Sequence, residues 1–290
     1  MKQHSYSILI GFILFFLWNP VAAYAQQVYR IFNAQGEQVS FLDLMKETQH
    51  KSHVFFGELH NNPIAHYFQL EMAKALHAEF GENLQLGAEM FEADNQLILD
   101  EYLQGRIGEK QFEAECKLWP NYQTDYKPVV EFAKAEGLDF IATNIPRRYA
   151  NAVYHGGLQA LMEFSDKAKA YMAPLPISID TTLSSYQEIQ AMSAGHSGGH
   201  MLEAQAIKDA SMAYFILQHS KPGKVFLHLN GSYHTTKNEG IIAYLQAQIA
   251  QEKILSITSV EQDQVDQLEE QNKNLADYIL CVDADMTKTH

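Results

Sequence analysis

The chain has 290 residues, with 21 basic against 35 acidic side chains and a formal charge of −14. A surface of that sign repels phosphate backbones and anionic lipid, which argues against nucleic acid or a membrane surface as partner. With 47 % hydrophobic residues it can bury its own core, and its length suits one large domain or two small ones.

Residues 1–25 read as a signal peptide. Lys2 gives a thin positive start, and 8–18 form an apolar core shorter than the roughly 20 residues a bilayer needs. Asn19-Pro20 breaks that core before the cleavage signal Ala23-Tyr24-Ala25. The expectation is export to a periplasmic or outer-membrane-associated location, with no cysteine at the cut to carry a lipid. In an oxidising compartment Cys116 and Cys281 are able to pair, and the sequence leaves that open.

Residues 28–40 predict a hairpin about the turn Asn33-Ala34-Gln35-Gly36, and Ser40 with Asp43 three residues on opens a short helix through 47. A strand over 53–57 runs into Gly57-Glu58-Leu59-His60. Pro63 then starts a helix in which Ile64, Phe68, Met72 and Ala75 recur at helical spacing until Phe80-Gly81. A second strand, 84–90, also ends on a carboxylate, Glu89. Helical patterns over 95–103 and 109–118 stop at Trp119-Pro120, and Pro128 reopens a helix to 136. A third strand, 138–142, exits through Thr143-Asn144-Ile145-Pro146-Arg147.

Residues 154–200 have no clear period and end in a glycine-rich loop holding His196 and His200. The helix predicted over 201–218 carries Asp209 on the stripe of Leu202, Ala206, Met212, Ala213 and Ile216, so its carboxylate should point inward. Strands over 224–230, 254–258 and 278–282 follow, separated by a helix over 240–251 and an acidic, solvated stretch over 261–274. The alternation predicts the α/β class: a doubly wound, mainly parallel sheet flanked by helices. One domain over 26–290 is expected, with helical excursions at about 95–136 and 150–220 forming a helical subdomain.

In a parallel sheet the strand exits share one edge, where open α/β sheets bind ligands. Glu58 with His60, Glu89, Asn144 with Arg147, and Asn230 with His234 then become neighbours. The set suits two chemistries. Glu58, His60, Glu89 and His234 have the donor types to hold a divalent metal, although no H-E-x-x-H spacing is present. Alternatively a histidine acts as general base, oriented by a carboxylate, on an ester or peptide. Plainer roles stand beside these: Glu58 as a helix cap, Glu89 in an ion pair with Arg147, His66 packing against or orienting His60. Asp209 would need a donor such as an arginine or a backbone amide. The absence of a G-x-S-x-G elbow argues against covalent serine chemistry. Residues 192–201 hold two histidines and two methionines, and histidine, methionine and tyrosine all serve as axial ligands of haem iron. A polar connector explains that loop equally well.

These residues resemble the ChaN family, the haem-binding uptake group within the Tiki and erythromycin-esterase-like superfamily. The resemblance rests on G-E-x-H-x-x-P-x-x-H at Gly57 to His66, on Glu89-Met90-Phe91, on Trp119 and on Asn144-x-Pro146-Arg147. It continues with A-Q-x-x-x-D-x-x-M-A at Ala204 to Ala213 and the turn Gly231 to His234, and covers nearly all of 26–290. It implies an exported bacterial haem-binding protein of iron uptake, in at least one member a homodimer sandwiching stacked haems on tyrosine ligands. A third, non-catalytic reading is a scaffold partnering an outer-membrane haem transporter. Two departures matter: the lipoprotein cysteine of some members is missing, and the G-x-G-H ending reads Gly231-Ser232-Tyr233-His234. The haem ligand stays open among Tyr186, His196, His200, Tyr214 and Tyr233. Hydrolases of the superfamily keep the catalytic alternative alive for Glu58, His60, Glu89 and His234.

Overall fold

The structure, a computed structural model, describes residues 27–193 and 199–289; the expected signal peptide and His196 lie outside the described residues. The hairpin is β1 (Tyr29–Asn33) and β2 (Gln38–Val39). Next comes α1 (Phe41–Thr48), where Ser40 and Asp43 form a reciprocal capping box. All six residues of β3 (His53–Glu58) are buried, as a central parallel strand requires. Asn62 then turns the chain into α2 (Pro63–Phe80), its side-chain oxygen accepting from the amides of Ile64 and Ala65.

After β4 (Leu84–Glu92) come α3 (Gln96–Leu103), α4 (Glu109–Glu115), one π-helical turn over Tyr122–Tyr126, and α5 (Lys127–Glu136). Then β5 (Asp139–Asn144) leads to α6 (Arg147–Gly156), α7 (Asp166–Lys169), α8 (Ser184–Ser193) and α9 (Met201–His219). The chain finishes with β6 (Val225–Gly231), α10 (Ile241–Leu245), β7 (Ile254–Gln262) and β8 (Tyr278–Asp283).

The strands form one sheet in the order β2-β1-β8-β7-β3-β6-β4-β5. It is parallel from β8 to β5, and β1 runs antiparallel to both of its neighbours. Strand alternation decides which helices cover which face. Val54 and Phe56 join the cluster that holds Met72 of α2 and Val130 of α5, whereas Phe55 joins Ile216 of α9 and Leu245 of α10 on the other face.

Several boundaries differ from expectation. The helix expected over 240–251 stops at Leu245, because the polar run beyond it offers little but Ile249 to bury. The helix expected to 118 stops at Glu115, and Asn95 Oδ1 accepts from the Lys117 amide just beyond. β7 extends to Gln262 since β8 pairs with it along Ile257 to Gln262. The acidic stretch is not wholly solvated, as Val265 and Leu268 are buried against Phe32 and Ile279. Cys116 and Cys281 are both buried and free, in separate clusters, so the pairing considered above does not form.

Asn62 also donates from Nδ2 to Glu261 Oε1 at 2.9 Å, so one side chain caps α2 and ties it to the end of β7. Replacing a capping asparagine by alanine costs about 0.5–2 kcal/mol. Asn62→Ala should therefore lower the urea midpoint by that equivalent with an unchanged m-value.

Candidate functional site

The order β3-β6-β4-β5 puts four strand exits side by side, and two glycines let them close up. A Cβ on Gly57 would lie 2.9 Å from Ser232 Cα, and one on Gly231 would lie 2.7 Å from His60 Cε1. The first meets backbone and would force the turn after β6 away from β3, and the second would push the His60 ring from its place against Gly231. The β4–β5 register also breaks between Ala88 and Glu92. That irregularity, of the kind that re-aims side chains beside functional sites, frees Glu89 from the regular ladder.

Glu58 is the centre of the first cluster. Its Oε1 accepts from His60 Nδ1 at 2.8 Å and from the Tyr126 hydroxyl, while Gln69 Nε2 donates to Oε2. Burial, followed by Glu58, raises Tyr126 well above the usual phenol value and keeps it a donor. His66 lies behind, with Nδ1 3.0 Å from Gln69 Oε1 and Nε2 3.1 Å from the His60 carbonyl. The His60 ring stands edge-on to Trp119 at 4.9 Å and its side chain is 46 % exposed. Because Nδ1 donates to a carboxylate, Nε2 is the nitrogen left to act. Burial opposes a charge on His60, but the Glu58 hydrogen bond and the charges of Glu89 and Glu58 outweigh it and raise its pKa above 6.5.

His234 is the centre of the second cluster, and it is buried. Nε2 lies 3.2 Å from Glu89 Oε1, and Nδ1 bonds Asp209 Oδ1. Burial works against the cation, yet Glu89 and Asp209 together push His234 up to about 10. Glu89 accepts from the Gly231 amide at 2.8 Å and is held below its ordinary value despite burial, chiefly by His234. Asp209, fully buried, is pushed upward by desolvation. Its second oxygen accepts from the Tyr186 hydroxyl at 2.8 Å, so its donors are a phenol and a histidine, not the arginine or amide expected. Asn144 Nδ2 donates to the Glu89 carbonyl, and Asn230 Nδ2 to the Gly231 carbonyl and to Thr235; both asparagines fasten the edge's backbone.

Other expected partnerships do not form. Arg147 is exposed and does not pair with Glu89, because the chain turns outward at α6; its neighbour Arg148 pairs with Asp94 at 2.6 Å. Among the described residues no three His, Cys, Asp or Glu side chains are arranged to hold a metal ion. Protein donors already occupy the oxygens of Glu58 and Glu89, so the divalent-metal expectation finds no support. Tyr186 is buried, Tyr214 is half-buried beside Phe215, and Tyr233 is 63 % exposed. His200 Nδ1 lies 2.8 Å from Glu203 Oε1. A notch of about 210 Å³ opens between α6 and α9, lined by Arg147, Ala150, Tyr154, Met201, Ala204 and Lys208 among others.

Gln69 and Tyr126, which hold Glu58, escaped the sequence reading. Gln69 follows His66 by three residues on the same helical face, a usable signal. Tyr126 sits in the π turn and carries no signal.

The two kinds of buried histidine act on stability in opposite senses. His234 has a raised pKa in the folded chain, so its contribution is complete below about 6.5 and is lost as pH rises through about 10. Burial lowers His53 and His228 to about 4, so stability falls as pH drops from 6.5 towards 4. Thermal melts should therefore peak near pH 6.5, and His234→Gln should flatten the alkaline limb alone.

The chain is similar to several solved structures and matches one family model. ChaN of Campylobacter jejuni, solved with haem bound cofacially, is 19 % identical over 88 % of this chain and 97 % of its own, with a TM-score of 0.66. A mutant of the erythromycin esterase EreC in its open conformation is 13 % identical, covering 81 % of this chain and 77 % of its own, with a TM-score of 0.49. A Bacillus cereus protein is also 13 % identical, covering 84 % and 78 %, with a TM-score of 0.48. At these identities the likeness to ChaN speaks for the fold, and the two weaker ones carry no argument. No curated protein matches the chain. The model of a family described as haem-binding uptake, Tiki superfamily, ChaN matches residues 44–245, well over half of the sequence. The chain belongs to that ChaN family of haem-binding uptake proteins.

Proposed function

We propose that the protein is exported, binds haem at the notch between α6 and α9, and serves bacterial iron uptake. The observation that carries this is a pair of cations flanking an apolar strip. Arg147 and Lys208 have no ion-pair partner among the described residues, and Ala150, Tyr154, Met201 and Ala204 lie in the same notch. In a chain of formal charge −14 two uncompensated cations at one apolar notch suit an apolar plate bearing two carboxylates, which describes haem. His200 is the ligand the arrangement favours. Glu203 holds its Nδ1, its backbone amide donates to the Tyr154 carbonyl at 2.7 Å, and Nε2 is left for iron. A carboxylate behind a ligating imidazole raises its basicity. Tyr186 would have to break its bond to Asp209 to serve.

The notch takes an edge of the macrocycle and leaves a face open. A second haem-loaded copy stacked on that face would cover it, which is how a homodimer enters. The leader at 1–25 supports a periplasmic or outer-membrane-associated location, where an outer-membrane haem transporter would be the donor.

One observation favours a second activity. His60 is the exposed member of an otherwise buried acid-base edge, oriented by Glu58 and opening at Nε2. A neutral His60 can take a proton from water as the oxygen attacks an ester or peptide carbonyl, then return it to the leaving group. Because its pKa is raised, turnover should climb with pH above 6.5.

Haemin added to residues 26–290 should give a saturable Soret shift near one haem per chain; no shift at micromolar haemin overturns the haem reading. His200→Ala should change the Soret position. Arg147→Ala with Lys208→Ala should weaken binding by roughly 1–2 kcal/mol, about tenfold, as expected for two partly exposed ion pairs. For the second activity, His60→Ala should abolish turnover and spare haem binding, and a broad ester and peptide screen without turnover would remove it.

A further inference from the structure

A second cavity lies on the other flank of the same edge, and its chemistry differs from the notch. It has a volume of about 380 Å³, within the range of small-molecule sites. Leu59, which separates Glu58 from His60, and Ser232 with Tyr233, which separate Gly231 from His234, form its inner wall. Thr258 and Ser259 from the middle of β7, the amides Gln271 and Asn272, and the apolar Val260 and Leu275 line much of the rest.

Three features define what the cavity would accept. First, its charges are already matched: Lys237 pairs with Glu188 at 3.0 Å, and Glu261 with Lys288. A charged ligand gains nothing from such a wall. Second, Ser232, Thr236 and Thr258 bring hydroxyls, and Gln271 and Asn272 bring amides, to the wall. Third, Tyr233 stands at the cavity with its side chain largely exposed. An exposed ring beside hydroxyls and amides offers one apolar face for C–H groups and a polar surround for O–H groups.

We infer that this cavity binds a neutral, polyhydroxylated ring, a saccharide unit stacked on Tyr233, and presents it to His60. The binding site stands on the cavity alone; its role as a substrate subsite rests on the hydrolase reading given above. The reacting bond would then be an acyl ester on a sugar hydroxyl. Water adds to the acyl carbonyl as its proton passes to His60 Nε2, and the C–O bond to the sugar breaks as that proton returns to the sugar oxygen. The products are a carboxylic acid and the free hydroxyl, with no redox change.

The test uses residues 26–290 and saturation-transfer NMR with maltotriose and N,N′-diacetylchitobiose as neutral probes, and glucuronate as a charged control. At least one neutral sugar should bind saturably in the millimolar range, glucuronate should bind more weakly, and Tyr233→Ala should reduce affinity at least fivefold. Because Tyr233 is exposed, that variant should keep the parental melting temperature and haemin titration. His60→Ala should leave sugar binding intact and abolish release of acetate from glucose pentaacetate. No binding by either neutral sugar, or binding indifferent to Tyr233→Ala, overturns the site. Sugar binding without acetate release keeps the site and overturns the hydrolase reading.

Discussion

His234 is wedged between Glu89 of β4 and Asp209 of α9 at the exit of β6, so one buried ring binds two strands to the helix that carries the excursion. Much else follows from that contact. Glu89 can reach the ring only because the β4–β5 register breaks beside it, and it also takes the Gly231 amide, which fixes the turn after β6. Asp209 needs Tyr186 as well, so α8 is drawn against α9. Removing one member of such a buried set typically costs about 3–5 kcal/mol, because a charge is left without its partner.

The same electrostatics divides the labour between the two histidines. His234, enclosed by carboxylates, is held as a cation and has no exposed nitrogen. His60 has the weaker bias and an open Nε2, so only it can exchange protons with a bound molecule. Glu89 links them: it neutralises His234 and raises His60 through space. The edge therefore has the parts of an acid-base centre whether or not haem is carried nearby.

Charge also separates the two flanks of that edge. On the α6–α9 side Arg147 and Lys208 have no ion-pair partner among the described residues and lie beside alanine, methionine and tyrosine, which suits an apolar dianion. On the β7 side Lys237 is matched by Glu188 and Glu261 by Lys288, which suits a neutral polar ring. Haem carriage and a polar-ligand subsite thus do not compete for the same residues, since Tyr233 lines only the β7-side cavity of the two.

Periodicity and punctuation determined the architecture. Proline at the opening of α2, the Ser40 capping box, and carboxylates directly after apolar runs are local signals, because caps and strand exits depend on neighbours a few residues away. They sufficed for the α/β class, the parallel sheet and the convergence of Glu58, His60, Glu89 and His234 on one edge. Element lengths were less legible: α10 shortens and β7 lengthens because burial and pairing with β8, not propensity, set their ends. Partner choice was not legible at all. That Asp209 takes Tyr186 and His234, that Arg147 turns outward while Arg148 finds Asp94, and that Tyr126 closes over Glu58 are decisions of packing between segments dozens of residues apart. A hydrogen bond of that kind has no sequence period, so only the tertiary structure could reveal it.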